Sequence, residues 1–263
     1  MSAEREQRLV FGEDAERYDR ARPSYPDALI DQLVAWVGAG ARVVDVGCGT
    51  GKATRLLADR GMRGVGVEAH PAMAAVARRN LAGWPEWRVD EGGFEQWEPR
   101  PGDTPADLVA CAQAWHWIDP AVRLHKAHAL LRPGGWLALW WNADEPDDDS
   151  PVRRAINEVY ARLEPGMGVL PTCGNLPRPG PDDPIPDGLG FGPSVDRVFP
   201  WTQTYTTDEW LDLLQTHSNH RLLPPERLAP LLEAVAAVID AHGGTYAARY
   251  RCTLWAAPRV PLV

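Results

Sequence analysis

Between Val43 and Trp141 the chain alternates short, continuous apolar runs with longer stretches whose apolar positions recur every three or four residues. Val43–Val46, Gly64–Val67, Trp87–Val89, Asp107–Ala112 and Trp136–Trp141 read as strands, the third being the weakest. Thr50–Arg60, Pro71–Asn80 and Val122–Leu131 read as the helices between them. Such alternation predicts a parallel sheet covered on both faces, with right-handed crossovers. Residues 9–37 also carry helical spacing, with Asp27 a candidate cap ahead of Leu29, Ile30, Leu33, Val34 and Val37. Arg132-Pro133-Gly134-Gly135 reads as a turn.

After Trp141 the pattern breaks. Asp144–Asp149 is acidic, Ser150–Leu163 is helical in spacing, and proline and glycine dominate residues 164–193. A connection that long is functional or lacks structure of its own. Val195–Thr206 then reads as a strand, Thr207–His217 and Pro225–Ala241 as helices, and Ala247–Ala256 as a final strand. The expected organisation is one core, residues 1–142 and 195–263, with residues 143–194 inserted as a cap or lid.

The stretch VVDVGCGTGKATRLLADRGMRGVGVE (43–68) carries candidate chemistry. Glycines between a strand and a helix let a ligand approach the backbone. The loop N–H groups and the helix N-terminus would favour an anionic group nearby. A dinucleotide site reads GxGxxG, whereas here the spacing is GxGxG and Lys52 takes the place of the third glycine. A phosphate-binding GxxxxGK[ST] loop is also absent. Glu68 ends the second apolar run, seventeen residues after Gly51, where a carboxylate can accept from a ribose diol. A nucleoside without a pyrophosphate fits best, and S-adenosylmethionine has that shape. Asp45 can hold the ammonium of its amino-acid tail.

Composition narrows the partners. With 27 basic and 36 acidic residues the net charge is −9. That argues against a nucleic-acid backbone or an anionic membrane surface as partner. None of the four cysteines stands in CxxC spacing, and the consecutive carboxylates of DEPDDD (144–149) read as a solvated acidic loop, so no metal is expected. The polar N-terminus and the absence of a run of about 18 apolar residues lead us to expect a soluble cytoplasmic protein.

DVGCGTG with Glu68 resembles motif I and the following acidic residue of class I S-adenosylmethionine-dependent methyltransferases. FGEDAERYDRARPSYP (11–26), AQAWHWID (112–119), LRPGGWLALWWN (131–142) and THSNHRLL (216–223) are similar to the small-molecule branch with trans-aconitate-type and cantharidin-type enzymes (methyltransferase type 11). The resemblance implies a Rossmann-like α/β fold, seven strands with an antiparallel edge, and S-adenosylmethionine as cofactor. Carried over by position, it implies a cofactor site of Asp45, Gly47, Cys48, Gly49, Thr50, Gly51, Glu68 and Ala69. Phe94 and Glu95 would border the adenine, and Gln113, Ala114 and Trp115 the reacting end. Tyr18 and Arg22 would belong to a flap over the cofactor. His116 is the candidate general base. Trp117, Trp141, Asn142, His217, His220 and Arg221 are the candidate acceptor-binding residues. Five of the twelve tryptophans fall between 115 and 141, which suits a flat or apolar small molecule. A tailoring O-, N- or C-methyltransferase is thus expected, against two alternatives: a carboxyl methyltransferase of a small polyacid, or a cofactor-binding protein without turnover. An oxidoreductase is disfavoured by the GxGxG spacing.

Overall fold

A computed structural model describes residues 15–145, 147, 149–167 and 189–260. The chain enters through α1 (Ala15–Ala21) and α2 (Asp27–Val37). The alternating part follows as β1 (Arg42–Val46), α3 (Lys52–Asp59), β2 (Arg63–Glu68), α4 (Pro71–Asn80), β3 (Trp87–Glu91), β4 (Ala106–Ala112), α5 (Pro120–Leu130) and β5 (Leu131–Asp144). Then come α6 (Pro151–Leu163), β6 (Val195–Thr206), α7 (Thr207–Gln215), the short α8 (Ser218–Arg221), α9 (Pro225–Ala241) and β7 (Thr245–Pro258).

The seven strands form one sheet in the order β3-β2-β1-β4-β5-β7-β6. β1 to β5 pair in parallel, and β7 runs antiparallel between β5 and β6. The expected mostly parallel, seven-stranded, Rossmann-like sheet is therefore what the chain forms. Strand order reverses between β1 and β4, and such a switch opens a crevice at the carboxyl ends of the strands.

Strand periodicity explains why the central strands are apolar throughout. Val44, Val109, Leu137 and Leu139 face one core with α5, which supplies Leu124, Ala127 and Leu130. Their neighbours Val43, Leu108, Ala138 and Trp140 face a second core with α2 and α3, through Leu29, Ile30, Leu33, Ala53 and Leu57. A third core joins α6, α7 and α9 to the outer ends of β6 and β7, around Tyr160, Tyr205, Trp210, Leu231 and Tyr246. Residues 151–163 of the expected cap are thus packed against the C-terminal half, while most of its proline-rich remainder lies outside the described residues.

Three local expectations change. The helical stretch expected over residues 9–37 divides at Arg22–Pro26, where Pro23 and Pro26 favour extended backbone in the residues before them. Asp27 does not cap α2: Pro26 holds that position, and the Asp27 carboxylate receives Arg60 Nη2 at 2.6 Å. The turn at Arg132–Gly135 is the irregular start of β5, where the pairing with β4 shifts register and Gly134 and Gly135 bond instead to Arg259.

β5 ends on a buried ion pair. Arg153 Nη2 lies 2.5 Å from Asp144 Oδ2, and its Nη1 reaches both Asp144 Oδ1 at 3.0 Å and the Tyr246 hydroxyl at 3.1 Å. Removing one partner of such a pair strands a buried charge, at a cost of about 3–5 kcal/mol, whereas replacing both with apolar residues is often neutral. Asp144→Ala is therefore expected to lower unfolding free energy by about that amount. The double variant Asp144→Leu, Arg153→Met should recover most of it, as urea titration followed by tryptophan fluorescence will show.

Candidate active site

The glycine loop after β1 is bound tightly to β2. The N–H groups of Gly47 and Cys48 both donate to the Val67 carbonyl, at 2.8 and 3.1 Å. Gly49 N–H donates to Glu68 Oε2 at 2.9 Å, and His70 N–H to Glu68 Oε1 at 2.8 Å. The loop amides expected to greet an anion are therefore turned toward β2, and Glu68 is held by the loop it faces. A carboxylate oxygen can accept more than one donor, which is the chemistry a ribose diol requires. Gly47 has no alternative at its position: a Cβ there would lie 2.5 Å from the Ala114 Cβ at the end of β4.

Asp45 is buried inside β1. Thr54 Oγ1, from α3, donates to Asp45 Oδ2 at 2.5 Å, while Oδ1 has no partner. Burial pushes the carboxyl up to about 7; the Thr54 bond opposes this and the Glu68 charge adds to it. The Thr50 hydroxyl is buried without a partner in the same loop. Sequence reasoning missed Tyr25. Its ring stands edge-on to Trp140 at 5.9 Å, and burial, with smaller contributions from neighbours including Tyr18 and Asp45, raises its phenol well above the usual range. The SYP stretch carries no periodic signal that would have singled it out.

The end of β4 forms the opposite wall. Gln113 has φ 62°, left-handed backbone that a non-glycine residue rarely adopts. Its N–H donates to the Trp140 carbonyl at 3.0 Å. Trp115, His116 and Trp117 make a single 3-10 turn after it. Trp115 is buried, with Arg123 Nη1 on its carbonyl at 2.9 Å and the guanidinium 5.7 Å from its ring centre. Both ring nitrogens of His116 are buried without a partner; burial, and then the Arg123 charge, lower its pKa to about 4. The imidazole is neutral at pH 7 and a weak base.

Other candidates are brought close to packing duties. Phe94 and Trp141 are buried in the first core, and Lys126 Nζ sits 5.5 Å from the Phe94 ring centre. The Lys126 ammonium also donates to the carbonyls of Glu95 and Trp97, and Glu95 Oε1 accepts from Asp119 N–H at 3.2 Å. Asn142 spends its amide on Ser24 O at 2.8 Å and Trp201 Nε1 at 3.1 Å. Ala69, after Glu68, is half-buried.

The THSNHR segment meets the N-terminal segment. Arg22 Nη2 donates to the Thr216 carbonyl at 2.9 Å, and its guanidinium lies 5.2 Å from the Tyr18 ring centre. Burial, followed by Arg22 and His220, holds His217 well below the usual histidine range. His220 is buried. Its Nδ1 meets Asn219 Oδ1 at 3.0 Å, so that nitrogen carries the proton and Nε2 accepts from the Tyr160 hydroxyl at 2.6 Å. His220 thereby locks α8 to α6. Arg221 is half-buried beside it. α1 spans the two halves: Glu16 pairs with Arg79 on α4, and Arg17 with Asp212 on α7.

Among the described residues, no group of three or more His, Cys, Asp and Glu side chains could hold a metal ion. Of the acidic loop, Glu145 and Asp147 face Arg249, while Pro146 and Asp148 lie outside the described residues. No described helix is long and apolar enough to cross a membrane.

Residues 43–135 match a family model described as a methyltransferase domain. An uncharacterised methyltransferase of Mycobacterium tuberculosis is 32% identical, over 90% of this chain and 88% of the relative. A trans-aconitate 2-methyltransferase of Paracidovorax citrulli is 34% identical, over 55% of this chain and 52% of the relative. Among solved structures, a putative type II methyltransferase from Anaeromyxobacter dehalogenans shares the fold, with a TM-score of 0.64, 23% identity, and coverage of 91% of this chain and 99% of that one.

The raised Asp45 carboxyl has a consequence for stability. An acid whose folded pKa exceeds its unfolded one binds more protons when folded, so stability falls as pH rises from about 4, the unfolded value, to about 7. Asp45→Asn should remove that loss and stabilise the ligand-free protein at pH 8 by up to about 4 kcal/mol, with little gain at pH 4. Denaturant titrations of both proteins across this pH range check the sign.

Proposed function

We propose that this chain, which belongs to the class I S-adenosylmethionine-dependent methyltransferases, methylates a small-molecule acceptor held between the carboxyl ends of β4 and β5 and the THSNHR segment. The observation that carries this reading is the paired wall of Gly47 and Ala114, flanked by the partnerless Asp45 Oδ1 on one side and by Gln113 on the other.

The residues fit the cofactor. Asp45 is a buried acceptor lacking a donor, which suits an ammonium. Glu68 is an acceptor of the kind a ribose diol requires and is fixed by Gly49 and His70. Cys48, Thr50, Gly51 and Ala69 complete that side. Glu95 and the backbone around Phe94 border the adenine, with Phe94 acting from the core. Tyr18 and Arg22 lie over the site from α1 and the segment after it. When bound, S-adenosylmethionine supplies an electrophilic methyl group on a sulfonium.

The chain's own residues then orient and enclose. Ala114 and Trp115 set the wall of the reacting end, and Trp117, His217 and Arg221 face the acceptor. Asn142, Trp141 and His220 support these from behind through the bonds and packing already described. His116, neutral at pH 7, takes a proton from an acceptor that must lose one; with a pKa of about 4 it contributes less than positioning does. Residues 143–194, the proposed cap, act on this side through Tyr160, which braces His220 from within the third core. A polyacid acceptor is the second reading, favoured by the trans-aconitate relatives over about half the chain.

Calorimetric titration with S-adenosylhomocysteine tests the site. Wild type should bind, and Glu68→Ala should lose about 1–3 kcal/mol, the worth of charge-assisted hydrogen bonds. No binding to folded, cofactor-free wild type would sink the assignment. Circular dichroism of Glu68→Ala separates a lost ribose contact from a collapsed loop.

A further inference from the structure

We infer that the side-chain carbonyl of Gln113 receives a hydrogen bond from the acceptor's own nucleophile, so that the substrate is an alcohol, phenol or amine rather than a carboxylate. The inference rests on the methyltransferase reading and names the acceptor class at that same site.

Three features of Gln113 point the same way. Its backbone is left-handed, the conformation that non-glycine residues keep chiefly where function holds them there. Its amide orientation follows from one contact: Nε2 donates to the Asn142 carbonyl at 3.4 Å, and a flipped amide would set two oxygens against each other. Its Oε1 is buried and has no donor in the protein. A buried carbonyl without a donor is costly, and the cost is recovered when a ligand brings an N–H or O–H.

Position decides which ligand. Gln113 ends β4 and reaches across to β5, so it stands on the border between the glycine-loop half of the sheet and the half that carries β7, β6 and the THSNHR segment. Asp45 on β1 suits the cofactor's ammonium and Glu68 on β2 its diol, whereas Gln113 reaches from β4 toward β5, on the side away from both, which gives its Oε1 to the acceptor. An ionised carboxylate has no proton to give, and it would meet Oε1 as one acceptor against another. A hydroxyl or amine donates to Oε1 and keeps a lone pair for the methyl carbon. That lone pair forms the new bond, the carbon–sulfur bond breaks with its pair left on sulfur, and the nucleophile's proton passes to neutral His116 and from there to solvent.

Three matched fragments separate the classes: phenol, benzylamine and benzoate. They are titrated into 15N-labelled protein saturated with S-adenosylhomocysteine, and the Gln113 side-chain amide is assigned by its loss in Gln113→Leu. Phenol and benzylamine should move that resonance and benzoate should not. In Gln113→Leu both fragments should bind about tenfold more weakly while S-adenosylhomocysteine affinity stays within about twofold. Gln113→Gly accepts the left-handed backbone and repeats the test should the leucine variant not fold. The inference is overturned if benzoate moves the amide as much as phenol does, if no fragment moves it, or if both variants lose S-adenosylhomocysteine affinity, which would give the contact to the cofactor. Failure of wild type to bind S-adenosylhomocysteine would instead remove the methyltransferase site itself.

Discussion

The ends of β1 and β4 approach so closely that a single methyl group fills the space between them. That methyl is the Ala114 Cβ, and it stands where a Cβ of Gly47 would have to go. Much follows from this contact. Residue 47 cannot carry a side chain, so the loop can fold back and place its amides on Val67 and Glu68. Residue 114 has to be small, and the chain leaving β4 turns sharply to deliver it, which puts Gln113 into left-handed backbone. The same turn sends Trp115 inward and leaves His116 and Trp117 half-buried. One steric constraint thus arranges both walls of the site.

The electrostatics are those of a site waiting for a donor. Asp45 and Gln113 each bury an oxygen without a partner, while the histidines around the opening are held neutral. For the free protein this costs stability above pH 7, where Asp45 has to ionise in apolar surroundings. A ligand at about a hundred times its dissociation constant contributes about 2.7 kcal/mol, comparable to a large part of that cost. The free and bound proteins should therefore differ in stability more at high pH than at low pH, because only the ionised carboxylate gains fully from an ammonium.

Much of this was legible in the sequence. Strands buried on both faces read as unbroken apolar runs, so β1, β2 and β4 were located almost to the residue, and α4, β6 and α9 had the right ends. The glycine loop and Glu68 were legible because their chemistry is local: a tight turn, then a carboxylate at the next strand end. Direction and partnership were not. Trp140 and Trp141 stand side by side in sequence and are buried in opposite cores. Nothing in THSNHR says that His220 turns to Tyr160, sixty positions earlier, or that the Arg22 charge acts on His217. Nor did the amide-rich loop disclose that β2 would claim its N–H groups.

Asn142 shows why such residues escape sequence reasoning and still matter to the site. Its own carbonyl faces the Gln113 amide, its side-chain NH2 holds Ser24, and its side-chain oxygen holds Trp201. Four segments, drawn from residues 24, 113, 142 and 201, are therefore tied at one point. Ser24 leads into Tyr25, which stands against Trp140. The orientation of Gln113 depends on this junction, because the only thing that turns its amide is the Asn142 carbonyl among its described partners. The Gln113 amide is thus positioned by a strand, an N-terminal linker and an edge strand acting together, and its geometry exists only once all of them are in place.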